Sequence, residues 1–158
     1  MKILILGASY GSLLSTKLLM AGHDVTLICR SKSAALINDN GTEVRIKLRD
    51  EDGHRAFRSH DLAGELDAVT PADAQPENYD MISLAMQEPQ YSEPQVRDLM
   101  QRIAASRKPC LSIMNMPPLP FLRRIDALSE APLEMCYDDA SVWAGFEPGL
   151  MSLCSPDP

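Results

Sequence analysis

The sequence predicts an α/β fold, in which an open and mostly parallel sheet carries helices on both faces within a single domain. Short apolar runs recur along the chain, with helical patterns between them. The first unit has an apolar run at 2–6, a turn of small residues at 7–12, a helical pattern at 13–21 and a second apolar run at 25–29. Such alternation is typical of βαβ units, whose right-handed crossovers build a parallel sheet with ligand sites at the carboxyl ends of its strands.

Two further patterns come after this first unit. The segment 31–40 predicts a short helix that ends at Gly41, and residues 42–48 alternate apolar and polar side chains, as a half-exposed strand does. Residues 55–59 are expected to return as its hairpin partner. We therefore expect the whole segment 41–69 to be an antiparallel excursion from the parallel sheet.

The second half of the chain again alternates strands and helices. A proline-containing linker at 71–78 precedes a buried strand at 79–86. The remaining expected elements are a helix at 92–105, a strand at 109–114, a helix at 121–128 and a last strand at 133–137.

Composition restricts the partners and the compartment. The 158 residues carry a formal net charge of -7 and have a pI near 4.9. Nucleic acids and anionic membranes attract clustered Lys and Arg, so neither is expected as a partner. The cysteines form no CxxC pair, and no apolar run approaches the ~20 residues of a membrane helix. We therefore expect a reduced, cytoplasmic protein.

The turn at 7–12 opens the first helix and predicts a phosphate site, because backbone N–H groups and the positive end of the helix dipole meet there. A GxGxxG turn would need glycines at positions 7, 9 and 12, whereas the chain has Gly7, Ser9 and Ser12, with Gly11 one place early. We favour a turn that is one residue short, with Gly11 as the third glycine. The alternatives are that serines fill two glycine positions, or that this βα turn binds no ligand.

Arg30 comes directly after the second strand, with Ser31 and Lys32 beside it. In nucleotide-binding βαβ units a carboxylate near this position accepts from a ribose 2′-hydroxyl, whereas an arginine accommodates a 2′-phosphate. The residues therefore predict NADP rather than NAD as the cofactor. The alternative is a solvated surface turn.

Three segments together resemble the N-terminal domain of the ketopantoate reductase (2-dehydropantoate 2-reductase) family. They are Gly-Ser-Leu-Leu at 11–14, Ala-Gly-His-Asp-Val-Thr-Leu at 21–27, and Arg30. The resemblance continues through Tyr79, Asp80, Gln90 and Asn115. It implies a Rossmann-type domain, followed by a helical domain, in an oxidoreductase that reduces a 2-oxo acid with NADPH.

Carried onto this chain, the resemblance implies phosphate contacts at 7–12, a 2′-phosphate contact at Arg30, and a nicotinamide and substrate contact at Asn115. The full set of expected cofactor contacts is Gly7, Ala8, Ser9, Tyr10, Gly11, Ser12, Arg30, Ser31, Lys32, Ala85, Met86, Gln87 and Asn115. It also implies residues 1–128 as the NADP-binding domain and residues 129–158 as a last strand and linker toward a C-terminal helical domain outside the chain.

The chain departs from the family pattern at two strand ends. Gln87 stands where the family usually has a lysine, and Met116 with two prolines replaces the glycine that normally comes after the asparagine. The family's catalytic lysine and glutamate come from the helical domain, so no catalytic residue is expected in this chain. The first hypothesis is an NADPH-binding part of an oxidoreductase for a small 2-oxo acid or similar carbonyl, able to form a homodimer. The second is a non-catalytic nucleotide-sensing or protein-interaction module.

His54 and His60 lie among acidic residues six positions apart. This spacing matches no helical or zinc-finger arrangement, so we expect a polar hairpin and no metal site.

Overall fold

The strands form one six-stranded sheet and one separate hairpin. The computed structural model describes residues 1–128 and 131–154. Its strands are β1 (Lys2–Leu6), β2 (Asp24–Ile28), β3 (Glu43–Lys47), β4 (His54–Arg58), β5 (Leu66–Val69), β6 (Met81–Leu84), β7 (Cys110–Ser112) and β8 (Met151–Leu153). Its α-helices are α1 (Ala8–Met20), α2 (Ser31–Asn40), α3 (Pro94–Ser106) and α4 (Leu119–Leu122). Short 3₁₀ turns connect several of these elements.

The main sheet has the spatial order β5-β2-β1-β6-β7-β8, and all of its neighbouring strands are parallel. The order reverses between β1 and β6, because β2 lies on one side of β1 and β6 on the other. Such a switch point creates a crevice at the carboxyl ends of the strands. The predicted α/β fold is therefore confirmed, and its site is expected at the ends of β1, β2, β6 and β7.

Each face of the sheet carries its own hydrophobic core, because successive side chains of a strand point to opposite faces. On β1, Leu4 and Leu6 belong to the cluster that includes buried residues of α3, whereas Ile3 and Ile5 belong to the cluster with α1 and α2. Both faces of β1 are buried, so this strand is the centre of the fold. This arrangement confirms the prediction of helices on both faces.

The predicted hairpin is present, since β3 pairs antiparallel with β4 from Glu43 with Arg58 to Lys47 with His54. The expectation that the excursion extends to residue 69 is wrong, because β5 is a parallel edge strand of the main sheet beside β2. Its four residues are too few to show a period. The Asn38 side chain on α2 holds it through two bonds with the Ala68 backbone, at 2.8 and 2.9 Å.

The strand predicted at 133–137 is wrong as well. Leu133–Cys136 is a 3₁₀ turn, and the strand that completes the sheet is β8, which pairs parallel with β7. The expected helix at 121–128 is instead the short α4 and a separate 3₁₀ turn at Asp126–Leu128. Prolines precede both segments, and proline limits how far a helix or strand can extend. No helix in the described ranges is long and apolar enough to cross a membrane.

Candidate functional site

Gly7 forms the floor of the crevice at the point where β1 meets β6. Its φ of 104° lies in a region that side chains rarely adopt, and a Cβ there would stand 2.5 Å from the Ala85 carbonyl oxygen and 2.9 Å from Met86 Cγ. A side chain at position 7 would therefore collide with the end of β6. Glycine lets the ends of β1 and β6 approach this closely and leaves its main chain uncovered by a side chain.

The first turn of α1 offers hydrogen-bond donors to the crevice. The helix begins directly after Gly7, and the N–H of Gly11 already donates to the Gly7 carbonyl oxygen at 2.9 Å. The N–H groups of residues 8–10 precede this bond and have no acceptor within the helix, as at any helix start. The positive end of the helix dipole adds to their attraction for an anion. The turn has the chemistry of a pyrophosphate site.

Gly11 and Ser12 lie in the same helix, where Gly11 serves helix–strand packing and Ser12 bonds within the first turn. A Cβ on Gly11 would come within 2.6 Å of Ile5 Cγ2, so the absence of a side chain lets α1 approach β1 closely. The Ser12 hydroxyl donates to the Ser9 carbonyl oxygen at 2.9 Å. Close helix–strand packing is the role of the third glycine in dinucleotide-binding turns, which supports the interpretation of a shortened turn.

Arg30, Ser31 and Lys32 are all exposed at the carboxyl end of β2, where α2 begins. The side chains of Arg30 and Lys32 form no hydrogen bond or ion pair with another residue of the described chain. Cys29, just before them, is partly buried, and this burial raises the pKa of its thiol, so Cys29 stays a neutral neighbour. Two unpaired positive charges thus flank the crevice on the β2 side.

The β6 side of the crevice is held by hydrogen bonds to its backbone. The Met86 N–H donates to the Tyr91 hydroxyl at 3.1 Å, and the Gln87 N–H donates to Gln90 Oε1 at 2.9 Å. Tyr91 is fully buried, and burial raises the pKa of its hydroxyl strongly. The hydroxyl therefore stays protonated at neutral pH while it holds the turn. The sequence did not predict this role of Tyr91, because no sequence motif marks a tyrosine that is buried in a 3₁₀ turn and bonds to a backbone N–H.

Gln90, which the family resemblance singled out, lies outside the crevice floor and caps the 3₁₀ turn through Gln87. The Gln87 side chain reaches across to α1, where its Nε2 lies 3.3 Å from the Tyr10 hydroxyl. Asn115 is exposed, three residues beyond the end of β7. The residues expected to contact a cofactor, at 7–12, 30–32, 85–87 and 115, thus all lie at or just beyond the carboxyl ends of four strands.

The chemistry of the crevice is that of binding and orientation. The segments beyond β6 and β7, at 85–93 and 113–118, contain no lysine or histidine. No group of three or more His, Cys, Asp or Glu residues within the described ranges is placed to hold a metal ion.

A surface cavity of about 390 Å³ lies elsewhere, between the end of α3 and the loop near Gly145, with Arg107 and Glu147 among its lining residues. That cavity lies toward the amino ends of the strands, opposite to the crevice, because α3 ends near the start of β7.

Comparison with known proteins agrees with this geometry. A family model described as ketopantoate reductase PanE/ApbA matches residues 3–115. A crystal structure from Ralstonia solanacearum MolK2, assigned as a ketopantoate reductase, superposes with a TM-score of 0.68 at 20% identity, covering 98% of this chain and 44% of that one. A structure from Enterococcus faecalis, assigned as a 2-dehydropantoate 2-reductase, gives a TM-score of 0.49 at 22% identity, with coverage of 75% and 34%.

The Ralstonia structure shows a shared fold, and the chain spans less than half the length of either protein. A search among curated proteins gives no match.

Proposed function

Because the chain belongs to the ketopantoate reductase family, we propose that it binds NADPH at the carboxyl edge of its sheet and serves hydride transfer to a small 2-oxo acid or similar carbonyl. When bound, NADPH supplies the hydride. The residues of this chain bind the two halves of the cofactor and orient its nicotinamide ring.

The observation that carries the proposal is the pair of unpaired cations at the end of β2. The side chains of Arg30 and Lys32 are exposed and have no partner among the described residues, and they follow the second strand, near which a ribose 2′-phosphate binds in nucleotide-binding folds. A phosphate dianion would accept charge-assisted hydrogen bonds from both, with Ser31 as a neutral donor. NADH lacks this phosphate, so it would lose these bonds.

The middle of the cofactor is assigned to the Gly7 crevice and the start of α1. The N–H groups of Ala8, Ser9 and Tyr10 would donate to a pyrophosphate. Gly11 lets the helix pack closely on the sheet, and the Ser12 hydroxyl bonds to Ser9 within the first turn. Gly7 lets the ends of β1 and β6 approach closely, because a Cβ there would collide with the Ala85 carbonyl oxygen, and it puts no side chain between its main chain and the anion. The fit of this turn to a dinucleotide thus depends on its backbone.

The nicotinamide half is assigned to the ends of β6 and β7, at Ala85, Met86, Gln87 and Asn115. We assign cofactor binding to residues 1–128. Residues 129–158 contribute β8 to the same sheet and, by family resemblance, lead toward a helical domain. The general acid is assigned to that domain, since 85–93 and 113–118 offer neither lysine nor histidine.

Titration calorimetry of this chain with NADPH and NADH tests the proposal. We expect NADPH to bind more tightly, and Arg30→Ala to weaken NADPH binding by about 10- to 150-fold, which corresponds to the roughly 1.5–3 kcal/mol of a charged hydrogen bond. NADH binding should change little. Lys108→Ala removes the same charge near the start of β7, at the opposite edge of the sheet, and should leave both affinities unchanged. Equal affinity of the unmodified chain for both nucleotides would refute the 2′-phosphate site.

The second candidate is a nucleotide-sensing module without catalysis. Gln87 favours it, because a neutral amide in place of the family lysine removes a fixed charge that could hold a substrate carboxylate. The two candidates differ in the protein sequence expected beyond residue 158. Sequencing the coding region downstream distinguishes them: a helical domain with lysine and glutamate supports the enzyme, whereas its absence supports the sensor.

A further inference from the structure

Tyr10 and Gln87 form a side-chain bridge between two elements that flank the crevice. Tyr10 lies in the first turn of α1, Gln87 lies just beyond β6, and the hydroxyl of one is 3.3 Å from Nε2 of the other. Tyr10 remains 57% exposed. A large aromatic face thus stands open to solvent at the rim of the crevice.

Both partners project from backbone that is held by hydrogen bonds or close packing. Gln87 begins a 3₁₀ turn whose N-terminal N–H groups are fixed by Gln90 and by the buried Tyr91. Tyr10 lies three residues after Gly7, whose conformation is set by its close approach to β6. The contact with Gln87 directs the Tyr10 ring toward the β6 side.

The positions of the charges determine which half of a dinucleotide this ring would meet. Arg30 and Lys32 lie at the end of β2, on one side of β1, whereas Gln87 lies at the end of β6, on the other side. If the 2′-phosphate binds at Arg30, the cofactor crosses β1 at Gly7, and its other half lies on the β6 side. The Tyr10 ring points to that half.

A role for this ring presupposes the proposed function, NADPH binding across Gly7. We propose that Tyr10 is a positioning residue for the nicotinamide, with its ring packed against the nicotinamide ring and its hydroxyl oriented by Gln87. Aromatic rings favour offset or edge contacts with other flat rings. Met86, whose Cγ lies over Gly7, supplies a polarizable surface on the same side of the crevice.

Comparing the affinities for two ligands distinguishes a contact with the nicotinamide from a general disturbance of the binding site. NADPH carries the nicotinamide, and 2′-phospho-ADP-ribose carries the phosphates and adenosine without it. We expect Tyr10→Ala to weaken NADPH binding by about 3- to 10-fold, which is the range of an aromatic contact. The affinity for 2′-phospho-ADP-ribose should stay unchanged. Tyr10→Phe keeps the ring and should retain most of the NADPH affinity.

Leu13→Ala is the matched control, since Leu13 is an exposed apolar residue one turn further along α1; it should change neither affinity. Equal losses for both ligands in Tyr10→Ala, or no loss for either, would overturn the inference while leaving the Arg30 site intact. If the unmodified chain binds neither ligand, the proposed function fails, and the role of Tyr10 fails with it.

Discussion

Gly11→Ala tests the close packing that places the start of α1 over the crevice. The added Cβ would stand 2.6 Å from Ile5 Cγ2, whereas ordinary contacts begin near 3.4 Å, so helix or strand must move by almost 1 Å. Ile5 is fully buried in the central strand, so its side chain cannot turn away into solvent. Overpacking of this kind costs about 1–3 kcal/mol, and the better helix propensity of alanine returns up to about 1 kcal/mol.

With an overpacking cost of about 2 kcal/mol, the middle of that range, the expected net loss is about 1–2 kcal/mol, or a fall in Tm of about 2–8 °C for a chain of this size. Urea unfolding followed by circular dichroism should show a lower midpoint with an unchanged slope. Gly149→Ala is the control, because nothing lies within 4 Å of a Cβ at that position. A midpoint for Gly11→Ala equal to or above that of the unmodified chain would refute the close-packing argument.

Two further predictions concern the stability of the sheet. Asn38→Ala should lower the free energy of unfolding by about 1–3 kcal/mol, because it removes both side-chain bonds to the buried Ala68 backbone of β5. Asn40→Ala, which removes only a bond within its own helix, should lower it by less in the same urea titration. Burial raises the pKa of Cys110 to about 12, so above pH 9 the unfolded chain loses a proton that the folded chain keeps. Stability should then fall between pH 9 and 12 by at most about 1.4 kcal/mol per pH unit, and Cys110→Ala should show a shallower fall, unlike the exposed Cys136→Ala.

The parallel core of the fold was predictable because its signals are local and repeated. Each buried strand is a short apolar run, and the pattern at 1–30 specifies a βαβ unit whose crossover is right-handed for steric reasons. The edge strands were not predictable in the same way. β5 and β8 have four and three residues, too few for a period, and their pairing depends on contacts from distant segments such as the Asn38 side chain.

The residues of the candidate site likewise differ in whether a local sequence pattern could identify them. The glycine turn and Arg30 could be found because their meaning depends on position relative to a strand end, which the apolar pattern reveals. The hydrogen bonds on the β6 side could not be predicted from the sequence. Tyr10 and Gln87 lie 77 positions apart, and the side chains of Tyr91 and Gln90 bond to backbone N–H groups, for which no sequence motif exists. Local signals therefore predict the site that we propose for the cofactor, whereas the contacts that hold the β6 side of the crevice come from the tertiary structure.

The distribution of charge in the crevice suits selection of the proposed cofactor but not proton transfer to a substrate. All unpaired positive charge identified at the crevice lies on the β2 side, at Arg30 and Lys32, while the β6 and β7 ends present the amides of Gln87 and Asn115. Amides can orient a ring through hydrogen bonds, but they cannot donate a proton to a developing alkoxide as a lysine can. Binding selectivity should therefore persist in this chain by itself, whereas turnover should require an acid from elsewhere. A chain that discriminates NADPH from NADH without consuming it in the presence of 2-oxo acids would show that the two tasks reside in different parts of the protein.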